Sequence, residues 1–208
     1  QLDDAMFCYE KALALDSDFA DAHNNIGTVF TELGQLDQAV RSYKTALKLK
    51  PEFAEPHYNL GTALQDLEHL DDAVLSYKAA IVLQPDYADA HYNLGILYHN
   101  IGQLELAIKS LERAINIKPE NAEAHKYLGN TFQANGQVDE AIKCYEKAIS
   151  IKPDHADAHR NLSNVKKYTQ GDKQFILMKE LLTTDSLDQS NQIHLCFALA
   201  KAYEDLEM

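Results

Sequence analysis

Basic residues are scarce in this chain. Nineteen lysines and arginines face 32 aspartates and glutamates, a formal net charge of −13. A surface of that sign repels phosphate backbones, so no nucleic-acid partner is expected, and the charge reads either as plain solubility or as the match to a neutral or basic partner. Cysteine is scarcer. Cys8, Cys144 and Cys196 are far apart and form no C-x-x-C pair, which excludes a zinc knuckle and a disulfide framework and leaves three small hydrophobes suited to a reducing, cytoplasmic compartment. No run approaches the roughly 18 apolar residues of a membrane span, and residues 1–15 alternate charged and apolar positions with no signal-peptide core. The expectation is a soluble chain with no membrane partner. Eight glycines and five prolines leave no disordered tract, and 46% hydrophobic residues suffice for a continuous core. A G-x-x-x-x-G-K-[ST] phosphate loop is missing, as is any recurring nucleophile, base and orienting residue. The chain is therefore expected to be no enzyme and to hold no cofactor.

What is present is a repeat. Ala-His-Asn-Asn-Ile-Gly at 22–27 returns as Pro-His-Tyr-Asn-Leu-Gly at 56–61, and the match recurs over 90–95, 124–129 and 158–163, each step being 34 residues. A large first residue stands at His23, His57, His91, His125 and His159, followed by Ile26-Gly27, Leu60-Gly61, Leu94-Gly95, Leu128-Gly129 and Leu162-Ser163. Phe30, Leu64, Tyr98 and Phe132 follow. A second segment carries Ala39-x3-Tyr43, Ala73-x3-Tyr77, Ala107-x3-Leu111 and Ala141-x3-Tyr145, and Pro51, Pro85, Pro119 and Pro153 close the units.

The spacing is that of packed helices. At 100° per residue Ala22, Ile26, Val29 and Leu33 fall on one stripe with His23, Gly27 and Phe30 beside it, while Asp21, Asn24, Asn25, Thr28, Thr31 and Glu32 occupy the remaining arc. Gly27, Ala39 and Ala46 are small enough to let neighbouring helices approach to about 8–10 Å. A single unit cannot bury its stripe alone, so stability has to accumulate from stacked neighbours.

On these residues the chain is identified as a member of the tetratricopeptide family, whose pattern is W-x2-L-G-x2-Y, then A-x3-F, then P. The resemblance implies an all-α fold, a right-handed α-solenoid of stacked helix-turn-helix units. It spans residues 1–168 as an array, with a half repeat over 1–19 and repeats opening at 20, 54, 88, 122 and 156. Residues 169–208 read as an irregular helical extension ending in the first helix of a further repeat, through Leu199-Ala200-x2-Tyr203. In it, Phe175 to Leu182 replaces a second helix, and Ser186 with Gln189 has capping-box spacing. The join from Leu162-Ser163 through Lys167-Tyr168-Thr169 to Ala202-Tyr203-Glu204-Asp205-Leu206 also resembles that of bacterial tetratricopeptide proteins carrying a sulfotransferase domain. Both ends look cut, which implies a fragment of a longer protein whose truncated ends could associate with one another.

Candidate site residues follow from the polar arc. Asn25, Asn59, Asn93 and Asn161, each directly before the Leu-Gly position, would form a ladder down one face. Asparagine has poor helix propensity, and its amide offers a donor and an acceptor to a peptide backbone, although it can equally bond a neighbouring helix. The ladder resembles that in the repeats of O-linked N-acetylglucosamine transferase, which implies a main-chain grip on an extended peptide, with Tyr127 interrupting it. Tyr58 and Tyr92 in the preceding row offer amphipathic contact area. Lys126 and Arg160, with Lys166 and Lys167 nearby, predict a locally positive stretch. Lys126, Asn130 and Asn161 resemble part of a carboxylate clamp, with His194 and Ala198 standing where two further basic residues belong. The histidine row reads as structural, because helices about 8–10 Å apart cannot bring imidazoles to a shared metal at about 2 Å; no metal is expected. The acids Asp21, Glu55, Asp89, Glu123 and Asp157, and those three residues before them, are expected to favour helix N-termini and satisfy their amides. These features point to a scaffold that binds an extended peptide or a neighbouring domain of the parent protein. The alternatives are a substrate-presenting arm of a sulfotransferase, and a structural spacer or self-association module.

Overall fold

The computed structural model describes residues 2–183 and 187–207, and every regular element among them is α-helical. In chain order the helices are α1 (Leu2–Leu15), α2 (Ala20–Glu32), α3 (Leu36–Leu49), α4 (Ala54–Asp66), α5 (Leu70–Leu83), α6 (Ala88–Asn100), α7 (Leu104–Ile117), α8 (Ala122–Ala134), α9 (Val138–Ile151), α10 (Ala156–Val165), α11 (Lys173–Leu182) and α12 (Gln189–Asp205). This is an all-α repeat fold. The chain divides within α6 into two compact units, Gln1–Leu97 and Tyr98–Met208.

In residues 1–97, α2 pairs with α3 and α4 with α5, while α1 packs on α2 and α3 on α4. The pairing is set by an interlock between a glycine and a tyrosine ring. A Cβ on Gly27 would lie 2.5 Å from Tyr43 Cε1, and one on Gly61 would lie 2.8 Å from the Tyr77 ring. The ring thus occupies the space that a side chain on the first helix would need. Buried alanines Ala39, Ala46, Ala73 and Ala80 let the second helix lie flat against the first. Between the two helices the chain reverses through a left-handed residue, Gly34 at φ 71°. Its amide donates to Thr31 O and the next amide donates to Phe30 O, which ends α2. The same closure after α4 uses a non-glycine residue, Glu68 at φ 62°.

In residues 98–208 the pattern holds through α7, α8 and α9, with Gly129 against Tyr145 at 2.6 Å by the same construction. It then changes. Helix α10 ends after 10 residues where the other first helices have 13, and α12 packs directly along α10 with α11 against α12. The buried Leu195 and Leu199 of α12 stand 37 residues after Ala158 and Leu162, three more than the repeat length. Tyr168, Met178, Leu195, Ala198, Leu199 and Ala202 form one core cluster there, and Tyr145, Ala148, Ile149, Ala158 and Leu162 form another.

Capping differs from expectation. Phe19 and Phe53 are the N-caps of α2 and α4 and make no side-chain cap bond. Asn121 caps α8 by accepting from Ala124 N at 3.1 Å, and Asp188 caps α12 by accepting from Asn191 N at 2.8 Å. The acids Asp21, Glu55, Glu123 and Asp157 sit inside the first turn, where they favour the helix dipole without replacing a cap. Ser186, the expected cap partner of Gln189, lies outside the described residues.

Candidate functional site

The nine candidate residues lie on first helices and fall into two groups. In residues 1–97 these are Asn25 on α2, Tyr58 and Asn59 on α4, and Tyr92 and Asn93 on α6, all half-buried. Their amides are linked from repeat to repeat. Asn59 Nδ2 donates to Asn24 Oδ1 at 3.1 Å, and Asn93 Nδ2 donates to the Tyr58 hydroxyl at 3.1 Å. Asn59 and Asn93 thus each spend one N–H on the residue just before their counterpart in the previous repeat. The second N–H and the carbonyl oxygen of Asn59 have no partner among the described residues, whereas Asn93 is also hydrogen-bonded to the Tyr77 hydroxyl. Asn25 receives a long 3.5 Å bond from Asn24 and holds no link to another repeat.

Asn24 was placed on the solvated arc by its spacing, yet it is 1% exposed. The next repeat covers it, because its Nδ2 donates to Glu55 Oε1 at 3.1 Å while its Oδ1 accepts from Asn59. Nothing in the spacing of its own helix signals this, because two residues after Ala22 it points about 200° away from the apolar stripe. Tyr58 is likewise more than a contact surface: its ring lies 4.9 Å from that of Tyr87 and 6.0 Å from that of Tyr77. Burial drives the Tyr77 hydroxyl up to about 12, partly offset by its hydrogen bond with Thr62.

In residues 98–208 the group is Lys126 and Asn130 on α8 and Arg160 and Asn161 on α10. Asn161 Nδ2 donates to Asn130 Oδ1 at 2.8 Å rather than to position 126. Position 126 is a lysine, whose ammonium can only donate, so it offers Asn161 no acceptor; its Nζ is 2.6 Å from Glu123 Oε2 and lies 4.6 Å from the centre of the Tyr127 ring. Asn130 Oδ1 is also reached by the Tyr145 hydroxyl at 2.9 Å. The expected positive stretch is thereby largely neutralised. Lys126 is 9% exposed, Lys166 lies between Asp172 at 3.0 Å and Glu146 at 3.3 Å, and Arg160, which is exposed, stacks over Phe197. At the remaining clamp positions His194 Nδ1 is 2.7 Å from Asp157, and Ala198 is fully buried.

The histidine row has one repeated job. Nε2 of His23, His57, His91, His125 and His159 lies 2.8–3.2 Å from the carbonyl oxygen six residues earlier, on Ser17, Pro51, Pro85, Pro119 and Pro153. A carbonyl can accept but not donate, so each ring carries its proton on Nε2 and ties the preceding turn to the first helix. His159 Nδ1 is then free to accept from Gln174 Nε2 at 3.3 Å. Burial pushes His125, His155 and His159 below the ordinary histidine range, partly opposed by the carbonyls of Pro119 and Pro153 and, at His155, by Glu123. No helix among the described residues is long and apolar enough to cross a membrane.

Comparison with known proteins agrees with this architecture. Models of the TPR repeat match residues 1–31, 27–68, 66–102 and 101–136, and the tetratricopeptide repeat model matches 122–155. No curated protein matches the chain. Among solved structures, a MamA crystal structure is 31% identical, with TM-score 0.69 over 74% of this chain and 91% of its own. YrrB, described as a TPR protein with an unusual peptide-binding site, is 22% identical, with TM-score 0.70 over 89% of this chain and 96% of its own. MamA of Desulfovibrio magneticus RS-1, residues 41 to end, shares the fold at 22% identity and TM-score 0.68, over 89% and 93% of the two chains. With more than half of its length matched by these models, the chain belongs to the tetratricopeptide repeat family.

Proposed function

We propose that this chain is a polypeptide-binding scaffold whose first helices grip an extended segment by its main chain. The observation that carries the reading is the half-spent amide of Asn59, which holds the preceding repeat with one N–H and keeps a carbonyl oxygen and a second N–H unpartnered among the described residues, while Asn93, linked to Tyr58 and Tyr77, continues the row. A backbone amide offers the complementary pair, and the links between repeats hold the asparagines in place before a peptide arrives, which lowers the ordering cost of binding. Tyr58 and Tyr92 flank the two amides and supply apolar area for alternate side chains. Asn161 plays the same part in residues 98–208, with Asn130 as its anchor and Lys126 and Arg160 at the margin. YrrB, which shares the fold, is described as having a peptide-binding site of its own.

Calorimetry with a panel of unstructured peptides tests the reading. Asn25→Ala is the cleanest probe, since Asn25 holds no link to another repeat, and Asn59→Ala/Asn93→Ala is the stronger one. Each lost main-chain bond should weaken binding by about 1 kcal/mol, roughly fivefold, with helicity unchanged. Equal affinity in all three proteins would overturn the proposal, as would failure of every peptide to bind.

A further inference from the structure

The outward faces of the second helices in residues 1–97 differ sharply at matched positions. On α3, Arg41, Lys44 and Lys48 stand one turn apart, all exposed and without an ion-pair partner among the described residues. Lys48 lies in the last turn, where the helix dipole favours a cation, but Arg41 and Lys44 lie before it and gain little from that effect. Thirty-four residues on, α5 carries Leu75 and Val82 in place of Arg41 and Lys48, and these are 64% and 78% exposed. The corresponding positions are Phe7 and Ala14 on α1, and Lys109 and Asn116 on α7. The middle position is lysine on both helices, Lys44 and Lys78, so the contrast lies in the flanking positions, basic on α3 and aliphatic on α5, with both helices packed on α4.

A chain of net charge −13 that keeps three unpaired cations along α3 and two exposed aliphatic residues along α5, the second helix of the next repeat, has a surface built for a complement. We infer that the outer face of α3 and α5 docks an acidic amphipathic helix of a partner protein, its carboxylate edge on Arg41, Lys44 and Lys48 and its apolar edge on Leu75 and Val82. Charge complementarity selects the occupant: a basic or neutral helix would leave the cations unpaired, and an anionic bilayer extends beyond the patch over the acidic remainder of the surface, whereas a helix about 10 Å across touches the patch alone. A helix lying along α3 and α5 repeats its side chains every seven residues, about 10 Å, the same rise that separates Arg41 from Lys48 and Leu75 from Val82. This surface is separate from the asparagine face, so the two can be occupied and tested independently.

The experiment uses a fluorescent synthetic helix about 20 residues long, with glutamates along one edge and leucines along the next. A scrambled version serves as control, vesicles of phosphatidylcholine and phosphatidylserine form a second arm, and sedimentation of the protein alone forms a third. The expected result is binding of the designed helix that weakens with salt. Binding should fall at least about tenfold with Arg41→Glu/Lys44→Glu/Lys48→Glu, and by several-fold with Leu75→Lys/Val82→Asn, the residues found on α7. Asn25→Ala should bind the helix as the wild type does. All substituted side chains on α3 and α5 are exposed, and thermal melts of each variant verify the fold. The inference is overturned if no binding is seen at about 1 mM, or if the scrambled helix binds equally well. Equal binding by the charge-reversed variant, or a preference for the vesicles, overturns it too. A self-association abolished by the charge reversal would assign the face to a second copy instead and equally overturn it.

Discussion

At the scale of single residues, the repeat makes each position comparable with its counterparts, and exceptions stand out. Glu68 sits at φ 62° in the turn where Gly34, Gly102 and Gly136 have φ of 71°, 77° and 75°. A side chain in the left-handed region costs about 1 kcal/mol, and Glu68 is exposed. Glu68→Gly should therefore raise stability by up to about 1 kcal/mol in a urea melt; a decrease would show that the turn is not strained. The buried histidines give a second prediction. With folded values lowered, His125, His155 and His159 resist protonation below the pH, about 6.5, where the unfolded chain takes it up. The unfolded state then binds more protons, so stability is full above about pH 6.5 and is lost as pH falls toward the lowered values. Melting temperature should fall on acidification from about pH 7.5 to about pH 5.5, with a shallower slope in His125→Gln/His159→Gln. An unchanged slope in the variant would assign the acid sensitivity elsewhere.

At the scale of helices, the repeat period was legible because packing demands it: a glycine opposite a tyrosine ring and alanines along the second helix leave little choice of residue. Gly61→Ala should push on the Tyr77 ring and lower stability by about 1–3 kcal/mol, and Gly61→Ala/Tyr77→Leu should recover part of the loss, since α7 already uses Leu111 at that place. Equal destabilisation of the single and double variants would locate the cost in the backbone rather than in the interlock. The links between repeats were less legible. Spacing marked the asparagine row, but that Asn161 turns to Asn130 follows from position 126 being a lysine with no acceptor to offer and from Asn130 lying within reach, which only the packed helices reveal. The burial of Asn24 was hidden for the same reason, since it comes from Glu55 and Asn59 of the next repeat rather than from its own helix. The direct packing of α12 on α10 follows the early end of α10, which the sequence marked through Lys166 to Asp172. The 37-residue offset itself was visible only in the buried positions.

At the scale of the whole molecule, the chain is a tetratricopeptide scaffold, and under the proposed reading its first helices carry the polar recognition row while second helices carry packing and one unusual outer face. With a net charge of −13 and Lys126 and Lys166 neutralised, the proposed reading assigns recognition to amides and tyrosine rings. That reading makes binding through the first helices weakly dependent on salt, in contrast to the α3–α5 surface. Nuclear magnetic resonance of the asparagine side-chain amides during titration with a bound unstructured peptide tests the central claim most directly. The account predicts that the Nδ2 resonances of Asn25, Asn59 and Asn93 shift in a saturable way and that at least one amide proton of each becomes protected from solvent. Saturable binding that leaves those resonances unmoved, with shifts confined to the second helices, would contradict it.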